Sequence, residues 1–173
     1  MAPSLASLLT RPGPLSSGGL AFGGKTLVNT SGADLEAGGF VYLGAGVLFE
    51  PVNSDLMYQF SLGYKSDSVT FSGPNGDSTM SVMPVDAVVF YKINNLRLGA
   101  GLAYYLNPKY ELCFDGGGCL VTNFDDSLGL VLELRHQFTD ILFWGARYTD
   151  VTYDIGSDSV DASNLRIHVG MVF

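Results

Sequence analysis

Two histidines and two cysteines are the side chains of this chain with the widest chemical repertoire. Either histidine could serve as a general base, but a base needs a nucleophile and an orienting acid within hydrogen-bond reach. His168 has no serine in its own segment, NLRIHVGMVF, and His136 stands near the end of SLGLVLELRHQF, so no catalytic residue is assigned. Cys113 and Cys119 flank Phe114-Asp115-Gly116-Gly117-Gly118, a spacing short enough for a disulfide that closes a small loop in an oxidising compartment. Metal binding is the weaker reading there, because only Asp115 accompanies the thiols. Asp34, Glu36, Asp77, Asp125, Asp126, Asp154, Asp158 and Asp161 gather in polar stretches. None of those stretches has the Asp/Asn/Gly spacing of a calcium loop, so they read as solvated charge, and neither a metal nor a cofactor is expected.

The remaining chemistry is ionic. Six of the nine basic residues, Lys65, Lys92, Arg97, Arg135, Arg147 and Arg166, share one face of alternating segments with Asp86, Glu133, His168 and Gln59. What must position them is a set of strands. Large apolar residues alternate with small or polar ones throughout, the period-2 signature of a strand with two different faces. Leu128, Leu130, Leu132 and Leu134 oppose Gly129, Val131, Glu133 and Arg135, and Leu96, Leu98, Ala100, Leu102 and Tyr104 oppose Arg97, Gly99, Gly101, Ala103 and Tyr105. The pattern predicts strands over residues 19–29, 38–50, 55–71, 80–93, 96–108, 126–138, 141–154 and 164–173. Each is close to or above the roughly 9–11 residues that a tilted strand needs to cross a bilayer. The connections near 31–37, 72–79, 109–125 and 155–163 are long and polar, whereas those near 51–54, 94–95 and 139–140 are short. Outer-membrane barrels show this asymmetry between external loops and periplasmic turns.

Composition agrees. Charged residues make up 15% of the chain, below the roughly 25% of an average soluble domain, and hydrophobic residues 47%. No run approaches the roughly 18 apolar residues of a spanning helix, so any crossing is made by strands. A net charge of −8 excludes a nucleic-acid partner, whose phosphates require a basic face. The fold class expected is therefore all-β, an eight-stranded antiparallel transmembrane barrel over residues 19–173 after a periplasmic tail over 1–18, an export signal having been removed or left out.

An eight-stranded barrel has an interior just wide enough for side chains to fill, so its inward charges should pair and plug it. The turn at Thr139–Asp140 predicts Glu133 and Arg147 as cross-strand neighbours on the inner face. Lys92 and Arg97, on either side of the Asn94–Asn95 turn, would repel each other unless Glu50 or solvent relieves them, and so mark a wet, cationic mouth. Phe49, Tyr58, Tyr91, Phe143, Trp144 and Phe173 fall toward the short-turn end and Tyr64, Tyr104, Tyr148 and Tyr153 toward the long-loop end, as two interfacial girdles would.

At the C-terminus, alternating Ile167, Val169 and Met171 lead to Phe173, which resembles the assembly signal of bacterial outer-membrane barrels. With DILFWGARYTDVTYD before it and the Pro84-Val85-Asp86 strand, the chain after about residue 19 resembles the small OmpA/OmpX-like outer-membrane barrel superfamily. The resemblance implies residence in the bacterial outer membrane, contact with its lipid and lipopolysaccharide, and insertion by the barrel-assembly machinery. A monomer is expected, with membership of a complex left open, and a cell-wall tether of the full-length OmpA kind is not implied. Such motifs specify fold and export rather than activity. The function expected is structural or surface interaction through the external loops, the Cys113–Cys119 loop first among them, around a plugged lumen. A small ion or solute pore is the alternative. A lipid-modifying enzyme is a third reading, weakened because the His-x-Ser arrangement of lipid A deacylases is missing.

Overall fold

Strict alternation can be satisfied on both faces only if one face meets an apolar solvent and the other a filled interior, and a closed sheet does both. The computed structural model describes residues 12–29, 34–38, 41–71, 76–114 and 116–173. Its wall consists of β1 (Gly13–Phe22), β2 (Val41–Phe49), β3 (Leu56–Phe71), β4 (Gly76–Ile93), β5 (Leu96–Phe114), β6 (Ser127–Gln137), β7 (Leu142–Asp150) and β8 (Asn164–Val172). Each strand runs antiparallel to its neighbours in the chain, and β1 pairs with β8 as well as with β2, so the sheet closes. The wall is thus the expected eight-stranded barrel. Among the described residues no helix is long and apolar enough to cross a membrane.

The two faces separate as the alternation requires. Leu128, Leu130, Leu132 and Leu134 point outward and are exposed, while Gly129, Val131, Glu133 and Arg135 are buried within. In β8, Leu165, Ile167 and Val169 face out and Arg166, His168 and Gly170 face in. Each outward Leu, Ile or Val gains about 1.5–3 kcal/mol when lipid rather than water surrounds it, and that gain fixes the register, because a one-residue slip would invert both faces. The short turns need the left-handed region, and Asn supplies it at Asn53 (φ 56°) and Asn94 (φ 55°).

Four strand boundaries differ from the sequence pattern, one of them the start of β4, at Gly76 rather than at 80. The first strand is Gly13–Phe22 rather than 19–29, so the barrel begins within the expected tail; residues 1–11 of that tail lie outside the described residues. Gly23 (φ 112°) and Gly24 (φ 92°) turn the chain out of the wall, and Thr26–Asn29 pairs instead with Asp34–Glu36 in an external hairpin. Strand β5 continues past Pro108, because the register with β4 shifts between Ser81 and Met83, opposite Asn107 (φ 49°). That bulge absorbs the proline and redirects the strand beyond the barrel rim. Strand β7 stops at Asp150, after which Thr152–Ile155 pairs with Asp158–Asp161 in a second hairpin. Of the two aromatic girdles, Tyr91, Trp144 and Phe173 at one end and Tyr64, Tyr104 and Tyr148 at the other face outward, but Phe143 and Tyr153 are buried inside.

Large and small residues alternate within the lumen. The Tyr42 side chain lies over the paired Gly44 and Gly63, where added Cβ atoms would stand 2.1 Å from its hydroxyl and 2.4 Å from a ring carbon. Gly63→Val is therefore expected to lower stability by about 1–3 kcal/mol through overpacking. Urea unfolding of the refolded protein in micelles would register this as a lower midpoint.

Candidate functional site

The inward-facing charges meet at mid-barrel. Register places Arg147 opposite Glu133, and Arg147 Nε stands 3.2 Å from Glu133 Oε2. Arg135 donates to Glu133 Oε1 through Nη2 (2.7 Å) and Nε (3.2 Å), and His168 Nε2 lies 3.1 Å from the same oxygen. Arg147 Nη1 donates to Asp86 Oδ2 at 2.7 Å. Two neutral side chains close the circuit: Ser61 Oγ donates to Asp86 Oδ2 (3.3 Å), Gln59 Nε2 donates to Ser61 Oγ (3.2 Å), and Arg135 Nη2 donates to Gln59 Oε1 (2.8 Å). The ring Arg135–Gln59–Ser61–Asp86–Arg147–Glu133 takes members from β3, β4, β6 and β7 and so reaches across the lumen. Every member is buried.

The cations of this layer outnumber its carboxylates, and aromatic faces take part of the excess. Arg135 lies between Phe90 (4.4 Å to the centroid) and Phe143 (4.0 Å), and Arg166 lies 3.5 Å from the Tyr42 centroid. Lys65 Nζ is 5.8 Å from the Tyr105 centroid. Such contacts are worth about 0.5–2 kcal/mol each.

Of the residues expected in an ionic lumen, Asp86, Glu133, Arg135, Arg147 and His168 are joined by direct contacts, whereas Lys65 and Arg166 stand beside them against rings. Lys92 and Arg97 belong to the short-turn mouth. Lys92 pairs with Glu50, and Arg97 Nη1 donates to the carbonyls of Asn94 (2.7 Å) and Leu96 (3.2 Å). Sequence reasoning missed Ser61, whose signal was its register opposite Asp86, and placed Phe143 in the girdle. The two histidines lie on opposite faces of the wall: His168 is inside, and His136 is outside beside Phe138 and Trp144.

At the long-loop end lies an apolar cluster. Leu35, Ala37, Val69, Met80, Tyr105, Tyr153 and Ala162 are buried there, with Tyr153 against Tyr105 (5.8 Å) and Phe124 (6.1 Å). Backbone bonds Lys25 N–H to Asp161 O (2.7 Å) and Ala37 N–H to Lys25 O (3.0 Å) tie the two hairpins together. Burial raises the Asp67 carboxyl above its ordinary range, against the pull of the Glu36 N–H that donates to it at 3.2 Å. The Ser163 N–H, 2.9 Å from Asp161 Oδ1, holds that exposed carboxyl below its ordinary range.

Beyond the rim, β3, β4 and β5 continue as a sheet, and Cys119–Asn123 adds to β5. A disulfide joins Cys113 to Cys119, whose Cα atoms are 4.1 Å apart. Glu111 lies beside both sulfurs, but oxidised sulfur supplies no thiolate to a metal. Phe124 N–H donates to Pro108 O, which fixes the phase of the ladder: Thr122 and Leu120 bond to β5, and Cys119, Val121 and Asn123 turn their N–H and C=O groups away from it. Among the described residues the sheet ends at this strand.

A closed antiparallel wall with an apolar exterior, an ionic interior, short turns at one end and long excursions at the other defines a transmembrane β-barrel of the outer-membrane type. The chain belongs to the family described as outer membrane protein beta-barrel domain, whose model matches residues 10–173, and to the OmpA/OmpX-like superfamily. That membership implies a bacterial outer membrane. Among solved structures, the chain is similar to Ail, the attachment invasion locus protein of Yersinia pestis, in complex with the heparin analogue sucrose octasulfate. The TM-score is 0.57 at 17% identity, covering 95% of this chain and 100% of that one. Neisserial surface protein A is similar at a TM-score of 0.54 and 13% identity, covering 95% of this chain and 99% of that one. At such identities the likeness shows the fold alone. No match was found among curated proteins.

Proposed function

We propose that this protein is a closed barrel of the bacterial outer membrane that presents an extracellular sheet for contact with other proteins, without catalytic chemistry of its own. The observation that carries the reading is the unpaired edge of Cys119–Asn123, held beyond the rim by the β3–β5 extension. Edge strands with outward N–H and C=O groups template the addition of a further strand. Leu120 and Val121 are exposed on opposite faces of that edge and offer apolar contact to either side. Next to it, Asp125, Asp126 and Asp154 are exposed, so the partner that fits is an extended segment with cationic side chains. The disulfide preorganises the edge; closing so short a loop removes about 2 kcal/mol of chain entropy.

The ionic ring and the apolar cap support a lumen that does not conduct, which weighs against the pore. The outward Ile167, Val169 and Met171 beside the exposed Phe173 support the reading of this end as the signal for the barrel-assembly machinery. The outer wall meets lipid and lipopolysaccharide as a monomer.

The test is binding of an alternating Lys-Val peptide to the refolded protein in micelles. Val121→Pro removes an outward N–H without touching the ladder to β5, and is expected to weaken binding at least ten-fold. Cys113→Ser with Cys119→Ser is expected to weaken it less. Equal affinity for wild type and Val121→Pro would overturn the reading.

A further inference from the structure

At the short-turn mouth, register sets three inward cations in one row: Lys92 opposite Arg97, and Arg97 opposite Arg135. Neighbouring cations in a confined space repel unless something negative sits with them. Lys92 has Glu50, and Arg135 has Glu133 and Gln59. Arg97 makes no ion pair among the described residues, and its Nε is without a hydrogen-bond partner.

Arg97 and Arg135 line the same cavity, of about 460 Å³ and open at the mouth. Its size lies within the roughly 300–1,000 Å³ of small-molecule sites. The cavity has two chemistries. One wall is cationic, from β5 and β6; Leu48, Met57 and Val172 supply an apolar one from β2, β3 and β8. Glu50 and Asp140 also line it; Glu50 is paired with Lys92, and neither carboxylate forms an ion pair with Arg97. Inward, the cavity ends on Arg135 clasped between Phe90 and Phe143, so it is a cup and not a passage.

We propose that this cup binds a small organic oxyanion, a carboxylate or phosphate group on a short apolar body, which enters from the periplasmic side. Arg97, which no carboxylate of the described residues ion-pairs, supplies guanidinium charge to the oxyanion from the wall of the cup, and Arg135 adds charge from its floor. The apolar body lies against Leu48, Met57 and Val172.

Butanoate serves as the probe, titrated calorimetrically into the refolded protein in zwitterionic micelles at low ionic strength, beside n-butylammonium and inorganic phosphate. Saturable one-to-one binding of butanoate is expected, at least ten-fold weaker in Arg97→Gln and unchanged in Lys109→Gln, which alters the opposite end. The sign of charge is tested on the wild type alone, where n-butylammonium is expected not to bind. Binding of n-butylammonium as tightly as butanoate, or an unchanged affinity in Arg97→Gln that migrates as a folded barrel on unheated gels, overturns the site. Inorganic phosphate binding as tightly as butanoate overturns the part given to the apolar wall.

Discussion

Replacing Glu133 by alanine is expected to lower the stability of the barrel by about 3–5 kcal/mol, the scale on which a buried ion pair fails when one partner is removed. Glu133 touches Arg135, Arg147 and His168, and it is buried with all three. Without it, Asp86 is left as the only carboxylate of the mid-barrel ring, facing Arg135, Arg147, Arg166 and Lys65. Packing cannot compensate, because a guanidinium that loses its carboxylate in a confined space must recruit water or move. Glu133→Gln keeps shape and one acceptor but no charge, and should recover only a minor part of the loss. Urea unfolding in micelles, followed through Trp144, the single tryptophan, reads the effect as a lower midpoint. An unchanged midpoint in Glu133→Ala would mean that the cations of this layer are already solvated and that the ring does not hold the barrel.

The ring was legible in part because its charged members are dictated by parity. Glu133, Arg135 and Arg147 sit opposite lipid-facing leucine and aromatic positions, and a period of two leaves them nowhere to go but inward. The register of Arg147 with Glu133 followed from the short turn between their strands. Ser61 was harder to find, since a small polar residue inside a barrel matters only when its cross-strand partner is known. Phe143 went to the wrong face because an aromatic near a turn fits a girdle by composition; only its contacts with Arg135 and His168 show the inner position. The first strand was displaced because residues 13–18 hold a single large apolar residue, Leu15, and so no alternation to read, whereas in a barrel wall small residues let strands pack closely. Gly19, for example, would place a Cβ 2.3 Å from the Ile167 carbonyl oxygen. Alternation says nothing about how excursions beyond the rim fold over the mouth, so the apolar cap had no sequence signal beyond scattered Leu35, Ala37 and Tyr153.

That cap sets the second large effect. If the lumen is closed as proposed, it is closed twice in series, by the ionic ring at mid-barrel and by the cluster around Tyr153 outside it. Tyr153 is fully buried between Tyr105 and Phe124, so Tyr153→Ala removes the centre of the cluster, a change that costs about 3–5 kcal/mol in a packed core. The wall does not depend on it, because every wall strand is hydrogen-bonded to two neighbours and lipid keeps those bonds from water. In a planar bilayer, the wild type and the single variants Glu133→Ala and Tyr153→Ala are therefore expected to be silent or to show brief flickers. Each single change leaves the other closure in place. Glu133→Ala with Tyr153→Ala is expected to give steady openings, since water entering past the cap meets cations no longer clasped by Glu133. Anion preference should accompany those openings, because Arg135, Arg147, Arg166 and Lys65 then line the path with Asp86 as their remaining carboxylate. Steady conductance in the wild type would replace the closed reading with a pore. Silence in the double variant would locate the closure in the layer where Arg166 stacks on Tyr42 over the Gly44–Gly63 pair.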